Sequence, residues 1–145
     1  MHPSSNKPIL LLFAAVALLA VGAGVGYGWL RAAPSEPPRI AVTPPEFDFG
    51  DVGPELAVSH VFTVTNTGGA VLDISGVSTS CGCTTAAIEA AQLQPGESTA
   101  LTVTFDPQAH DGATGRFLRL VYLRSNDPQT PETQVQLWVT VTDES

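Results

Sequence analysis

Through most of its C-terminal two thirds the chain alternates apolar and polar side chains with a period of two, a rhythm that fits strands and not helices. Val58, His60, Phe62 and Val64 alternate with Ala57, Ser59, Val61 and Thr63, and the run stops at the turn Asn66-Thr67-Gly68-Gly69. Leu72 and Ile74 begin another strand. Leu101, Val103 and Phe105 alternate with threonines between Pro95-Gly96-Glu97 and Asp106-Pro107. Phe117 to Arg124 is apolar on both parities, as a central strand would be, and ends at Ser125-Asn126-Asp127-Pro128. Val135, Leu137, Val139 and Val141 alternate with Gln134, Gln136, Trp138 and Thr140. With a first strand around Glu46 to Phe49, this predicts an all-β immunoglobulin-like sandwich of about seven strands, with turn signals at roughly every 8 to 12 residues. No segment of the domain has a convincing helical period; a turn or two of helix is open only to Ala86 to Leu93.

The N-terminal part obeys a different rule. From Ile9 to Leu30 the chain runs twenty-two residues without a charge. As a helix this spans roughly 33 Å, against a hydrocarbon core of about 30 Å. Lys7 precedes the run and acidic residues dominate after it, so the positive-inside rule places residues 1–8 in the cytoplasm and everything beyond 30 outside. The alternative is a cleaved signal peptide, apolar from Ile9 to Ala20, with a small-residue site near Val21-Gly22-Ala23. Continuation of the apolar run past that site favours a retained, single-pass signal-anchor helix over 9–30. Ala20, Gly24 and Gly28 recur every four residues, a spacing that lets another membrane helix approach closely.

Residues 31–44 are rich in proline and read as an extended spacer that holds the following domain, residues 45–145, away from the bilayer. About a hundred residues suffice for one core and not two. The whole chain has a formal charge of −8; from Ile40 onward three arginines and no lysine face thirteen acidic residues, which leaves −10. Such a domain has no basic surface for nucleic acid, and anionic lipid would repel it. The expected partners are the membrane, through the helix, and another envelope or membrane protein.

Six short motifs occur in order: Phe47-Asp48-Phe49-Gly50, His60 through Gly68, Leu72-Asp73-Ile74, Ser80-Cys81-Gly82-Cys83-Thr84, Leu93-Gln94-Pro95-Gly96-Glu97 and Ser125-Asn126. Together they resemble the bacterial family known as domain of unknown function 1573, over nearly all of Pro45 to Thr142. The resemblance implies an exported Ig-like sandwich similar to major sperm protein and Hydin-type domains, which serve as interaction modules. It implies no reaction.

Cys81 and Cys83 are the only cysteines and the only candidates for chemistry. On an extended strand, residues i and i+2 share a face, so the sulfurs are neighbours. Three readings compete. The pair forms a disulfide, suited to an oxidising exported location and open to redox cycling. Alternatively the two thiolates, joined by His60, hold a soft metal such as Cu(I) or Zn(II), with His110 a weaker fourth ligand. In the third reading the thiols simply pack at a strand end. Nucleophile elbows, phosphate loops, dinucleotide fingerprints and zinc-protease motifs do not occur, so no enzyme is expected. Trp138, outward by parity on the last strand, is a candidate anchor for a partner, or else covers a neighbouring loop. The expected function is therefore that of a membrane-anchored extracytoplasmic interaction module. A soft-metal or thiol-disulfide protein built on Cys81 and Cys83 is the alternative.

Overall fold

A computed structural model describes residues 36–110 and 112–143. Among them nine strands form two sheets facing each other as an all-β sandwich. Sheet A has the order β1-β3-β7-β5, from β1 (Ile40–Thr43), β3 (Val58–Asn66), β7 (Ser98–Phe105) and β5 (Thr84–Ile88). Sheet B has the order β2-β9-β8-β4-β6, from β2 (Glu46–Val52), β9 (Glu132–Val141), β8 (Gly115–Ser125), β4 (Leu72–Thr79) and β6 (Gln92–Leu93). All neighbouring pairs are antiparallel except β2 and β9.

The period of two places the core. Phe62 and Val64 on β3, Leu101 and Val103 on β7, Val121 and Leu123 on β8, and Val135 and Leu137 on β9 are all buried in one cluster between the sheets. Removing each such side chain from water contributes about 1.5–3 kcal/mol, which is why the register holds: a one-residue slip would turn every one of them outward.

Several expectations need correction. Ile40–Thr43 lay within the expected spacer, yet it is a strand: Ile40 and Val42 pack on the core, and its backbone pairs with Thr63–Asn66 of β3. Nor is Ala86 to Leu93 helical. Ala86 and Ile88 face the core at i, i+2 while β7 offers a free edge, so β5 forms there and the two-residue β6 follows against β4. Tertiary pairing overrides the local helical preference of alanine. The cysteines, expected on an extended strand, lie in the turn between β4 and β5. Beyond the six strands the sequence locates, out of about seven expected, β1, β5 and β6 bring the count among the described residues to nine.

Two short motifs have local causes. In β2, the Asp48 carboxylate accepts a hydrogen bond from the Gly50 amide at 2.8 Å, and Gly50 has φ +68°, where a side chain would be strained. The pairing of β2 with β9 shifts register at this point. At Gly68, a Cβ would collide with the Pro37 carbonyl oxygen, so only glycine lets the β3–β4 turn receive the segment entering β1.

The anchor expected over 9–30 lies outside the described residues. Among the described residues no helix is long and apolar enough to cross a membrane.

Candidate functional site

Cys81 and Cys83 sit at one end of the sandwich, in the crossing from sheet B to sheet A. The turn brings their Cα atoms to 5.3 Å, and the two sulfurs are bonded. An extended backbone would hold them roughly 6.6 Å apart, near the upper limit for a bridge, so the turn is what makes the pair compatible. Hydrogen bonds hold that turn on every side. The Thr79 hydroxyl donates to the Cys81 carbonyl at 3.0 Å and to the Thr84 carbonyl at 2.9 Å. The Asp106 amide donates to the Cys83 carbonyl at 2.9 Å. Ser80 and Leu120 exchange two bonds, through the Ser80 amide and the Ser80 hydroxyl, at 2.9 and 3.0 Å.

The two sulfurs differ in access. Cys83 is 3% exposed, packed with Val52, Phe105, Val139 and Val141, whereas Cys81 is half-buried at the edge of that cluster. The Thr84 hydroxyl lies 3.4 Å from the Cys81 sulfur and 3.9 Å from the Cys83 sulfur. Arg119, on the core-facing row of β8, holds its guanidinium 5.0 Å from the Phe117 ring, which packs against the same cluster. Burial lowers the Arg119 pKa from its ordinary value.

His60 is placed elsewhere. Its ring stacks on Phe47 with centroids 3.6 Å apart and meets Phe62 edge-on at 4.7 Å, linking β2 of one sheet to β3 of the other. Its Nε2 is buried without a hydrogen-bond partner among the described residues. Among the described residues no three His, Cys, Asp or Glu side chains converge as a metal site requires, so His60 does not join the cysteine pair. In the bonded form neither sulfur is a thiolate donor for copper or zinc.

Trp138 faces outward on sheet B, half-buried, with the Arg116 guanidinium 4.8 Å above its ring. Asp48 holds that guanidinium at 3.0 Å. The indole is thus a platform beneath an ion pair and not a bare anchor.

The outer faces of the two sheets differ in kind. Sheet B presents Glu46 and Asp48 on β2, Arg116 and Arg124 on β8, and Glu132 on β9. Sheet A presents no charged side chain within its strands. Its outward rows are Ala41 and Thr43; Ser59, Val61, Thr63 and Thr65; Ser98, Ala100, Thr102 and Thr104; and Thr85 and Ala87. The hydroxyls pair across strands, Ser59 with Thr104 and Thr65 with Ser98, each at 2.7 Å. Val61 stands among them 56% exposed. Glu89 and Asp106 lie just beyond the strand ends.

Sequence reasoning missed this face, although the signal was present: the polar parity of β3 and β7 is Ser, Thr, Ala and Val throughout. Asp127, in the turn Ser125-Asn126-Asp127-Pro128, reads from the sequence as a turn former or a solvating charge. Asp127 does accept from the Gln129 and Thr130 amides at 2.8 and 3.2 Å, but it is 3% exposed and also accepts from the Ile40 amide of the opposite sheet at 3.0 Å. Burial alone would raise its pKa; the three backbone donors and the charge of Arg39 outweigh that and leave it below the ordinary carboxylate value.

The fold has recognisable relatives. A protein of unknown function from Porphyromonas gingivalis W83 superposes with a TM-score of 0.67 at 20% identity, over 76% of this chain and 50% of that one. The PapD-like domain 7 of human CEP192 gives 0.59 at 11% identity, over 80% and 92%. The VesB protease of Vibrio cholerae gives 0.54 at 18% identity, over 70% of this chain and 31% of that one. At these identities the likeness is one of fold alone, and the chain spans only half the length of the Porphyromonas protein. No curated protein matches the sequence. A family model described as protein of unknown function (DUF1573) matches residues 40–141, from the start of β1 to the end of β9. This chain belongs to the DUF1573 family.

Proposed function

We propose that the protein is a membrane-tethered, extracytoplasmic docking module that meets another envelope protein through the outer face of sheet A. The observation that carries this reading is the absence of charge from that face in a domain of strongly acidic composition. Acidic groups hold water tightly and repel other acidic surfaces, so desolvating them is costly; hydroxyls already paired across strands and methyl groups cost far less to cover. Sheet A offers four strands of such groups around Val61.

Strand spacing and rise bound the face at roughly 19 by 26 Å, and because β1 and β5 have only 4 and 5 residues its area is about 400 Å². That is below the roughly 800 Å² per partner of a standard stable interface, so affinity from this face alone is modest. The uncharged segment Ile9–Leu30 supports tethering, which would confine both partners to one membrane and raise their effective concentration.

Charges placed on the face should abolish docking without unfolding the domain, because Val61 and Thr102 point outward and the repulsion of two like charges placed opposite each other costs only about 1 kcal/mol or less. In membrane extracts resolved on native gels, the full chain carrying Val61→Glu and Thr102→Glu is expected to run as the free chain. The Gln134→Glu control on sheet B should stay in its complex. Equal migration of the wild type and the double variant would contradict the reading.

A further inference from the structure

The turn that holds Cys81 and Cys83 is fixed by hydrogen bonds of Thr79, Ser80 and Asp106 that do not involve the sulfurs. A bridge closing so short a loop removes little entropy from the unfolded chain. Its stabilising role is therefore small, and the surroundings of the sulfurs point to reactivity. One sulfur is buried and its partner reaches the surface. Thr84 is itself 3% exposed, and among the described residues its hydroxyl has the two sulfurs as its hydrogen-bond partners. A hydroxyl donates weakly to a disulfide sulfur and strongly to a thiolate, so this buried donor is better satisfied once the bridge opens.

We propose that Cys81–Cys83 is a thiol-disulfide exchange site whose co-reactant is a protein dithiol, with Cys81 as the attacked sulfur and Thr84 positioned to receive the departing Cys83 thiolate. A thiolate of the dithiol attacks the Cys81 sulfur; the Cys81–Cys83 bond breaks and its electron pair leaves on Cys83. The second thiolate of the co-reactant then attacks its own half of the mixed disulfide and releases Cys81. Two electrons and two protons pass to this chain, and the co-reactant leaves as a disulfide. In the reverse direction the bridged form is regenerated by a protein disulfide. This inference does not depend on the docking face.

The test uses the full chain in detergent. Under non-denaturing conditions, graded dithiothreitol followed by alkylation and intact mass should reveal two thiols while the β-sheet circular dichroism is unchanged. Thr84→Val should slow that reduction about ten-fold, and Thr84→Ser should restore it. With oxidised glutathione as the probe, Cys83→Ser should gain one glutathione at Cys81 at least ten-fold faster than Cys81→Ser gains one at Cys83. Thiols that appear only as the domain unfolds would overturn the proposal. So would equal rates for the two single-cysteine variants, which need no substitution at Thr84.

Discussion

Replacing Asn66 with alanine is expected to cost about 3 kcal/mol or more, a large share of the roughly 5–15 kcal/mol that holds a domain folded. Asn66 is fully buried at the end of β3. Its amide nitrogen donates to the carbonyls of Ala70 and Leu93, at 2.8 and 3.0 Å. Its amide oxygen accepts from the amides of Gly68 and Arg39, at 3.0 and 3.4 Å. One side chain therefore satisfies the β3–β4 turn, the strand β6 and the entry to β1. Alanine would leave these backbone groups without that partner, at a cost of about 1–3 kcal/mol for the fully buried Leu93 carbonyl and less for each of the three part-buried groups. Asn66→Asp keeps the shape but turns a carboxylate toward two carbonyls, so it should be at least as damaging at neutral pH and partly recover in acid. Denaturant unfolding followed by circular dichroism reads both. The exposed Thr65–Ser98 pair is the control: Thr65→Val should cost well under 1 kcal/mol.

Asp127→Asn should cost about 2 kcal/mol at neutral pH, because hydrogen bonds to an ionised acceptor are roughly twice as strong as neutral ones. Asp127 ties the β8–β9 loop of sheet B to the first amide of β1 in sheet A. Its folded pKa is depressed, so the stabilisation is fully present above the ordinary carboxylate value and is lost as pH falls through the folded value. The wild type should lose stability across that acidic window. Asp127→Asn should begin less stable and lose less there, so that the two unfolding curves converge in acid; parallel curves would show that Asp127 contributes no charge effect.

Alternation made the two-sheet sandwich legible because β3, β7 and β9 bury one face each, and a half-buried strand writes its register into the sequence. β8, apolar on both parities, was legible for a different reason: an unbroken apolar run fits a strand flanked on both sides, and β8 lies between β9 and β4. β1 and β5 were not. Each has two inward apolar residues, too few to set a period, and each exists because a longer strand beside it offers unpaired backbone. The cysteine pair was visible as a pair, yet whether its backbone was extended or turned depended on Thr79 and Ser80 at the end of β4, Leu120 on β8 and Asp106 after β7, which converge from three elements. His60 looked like a ligand because of its residue type and its inward parity. Its real neighbours, Phe47 and Phe62, occupy that interior, and no local pattern could announce the ring that crosses from β2.

The most direct test of the docking account is a photoreactive side chain placed at position 61 of the full chain in intact cells, compared with the same group at position 134 on the other sheet. The account predicts that illumination joins the chain at position 61 to one discrete membrane-fraction protein and that position 134 yields none. Equal yields from both sheets, or a product from position 134 alone, would contradict it.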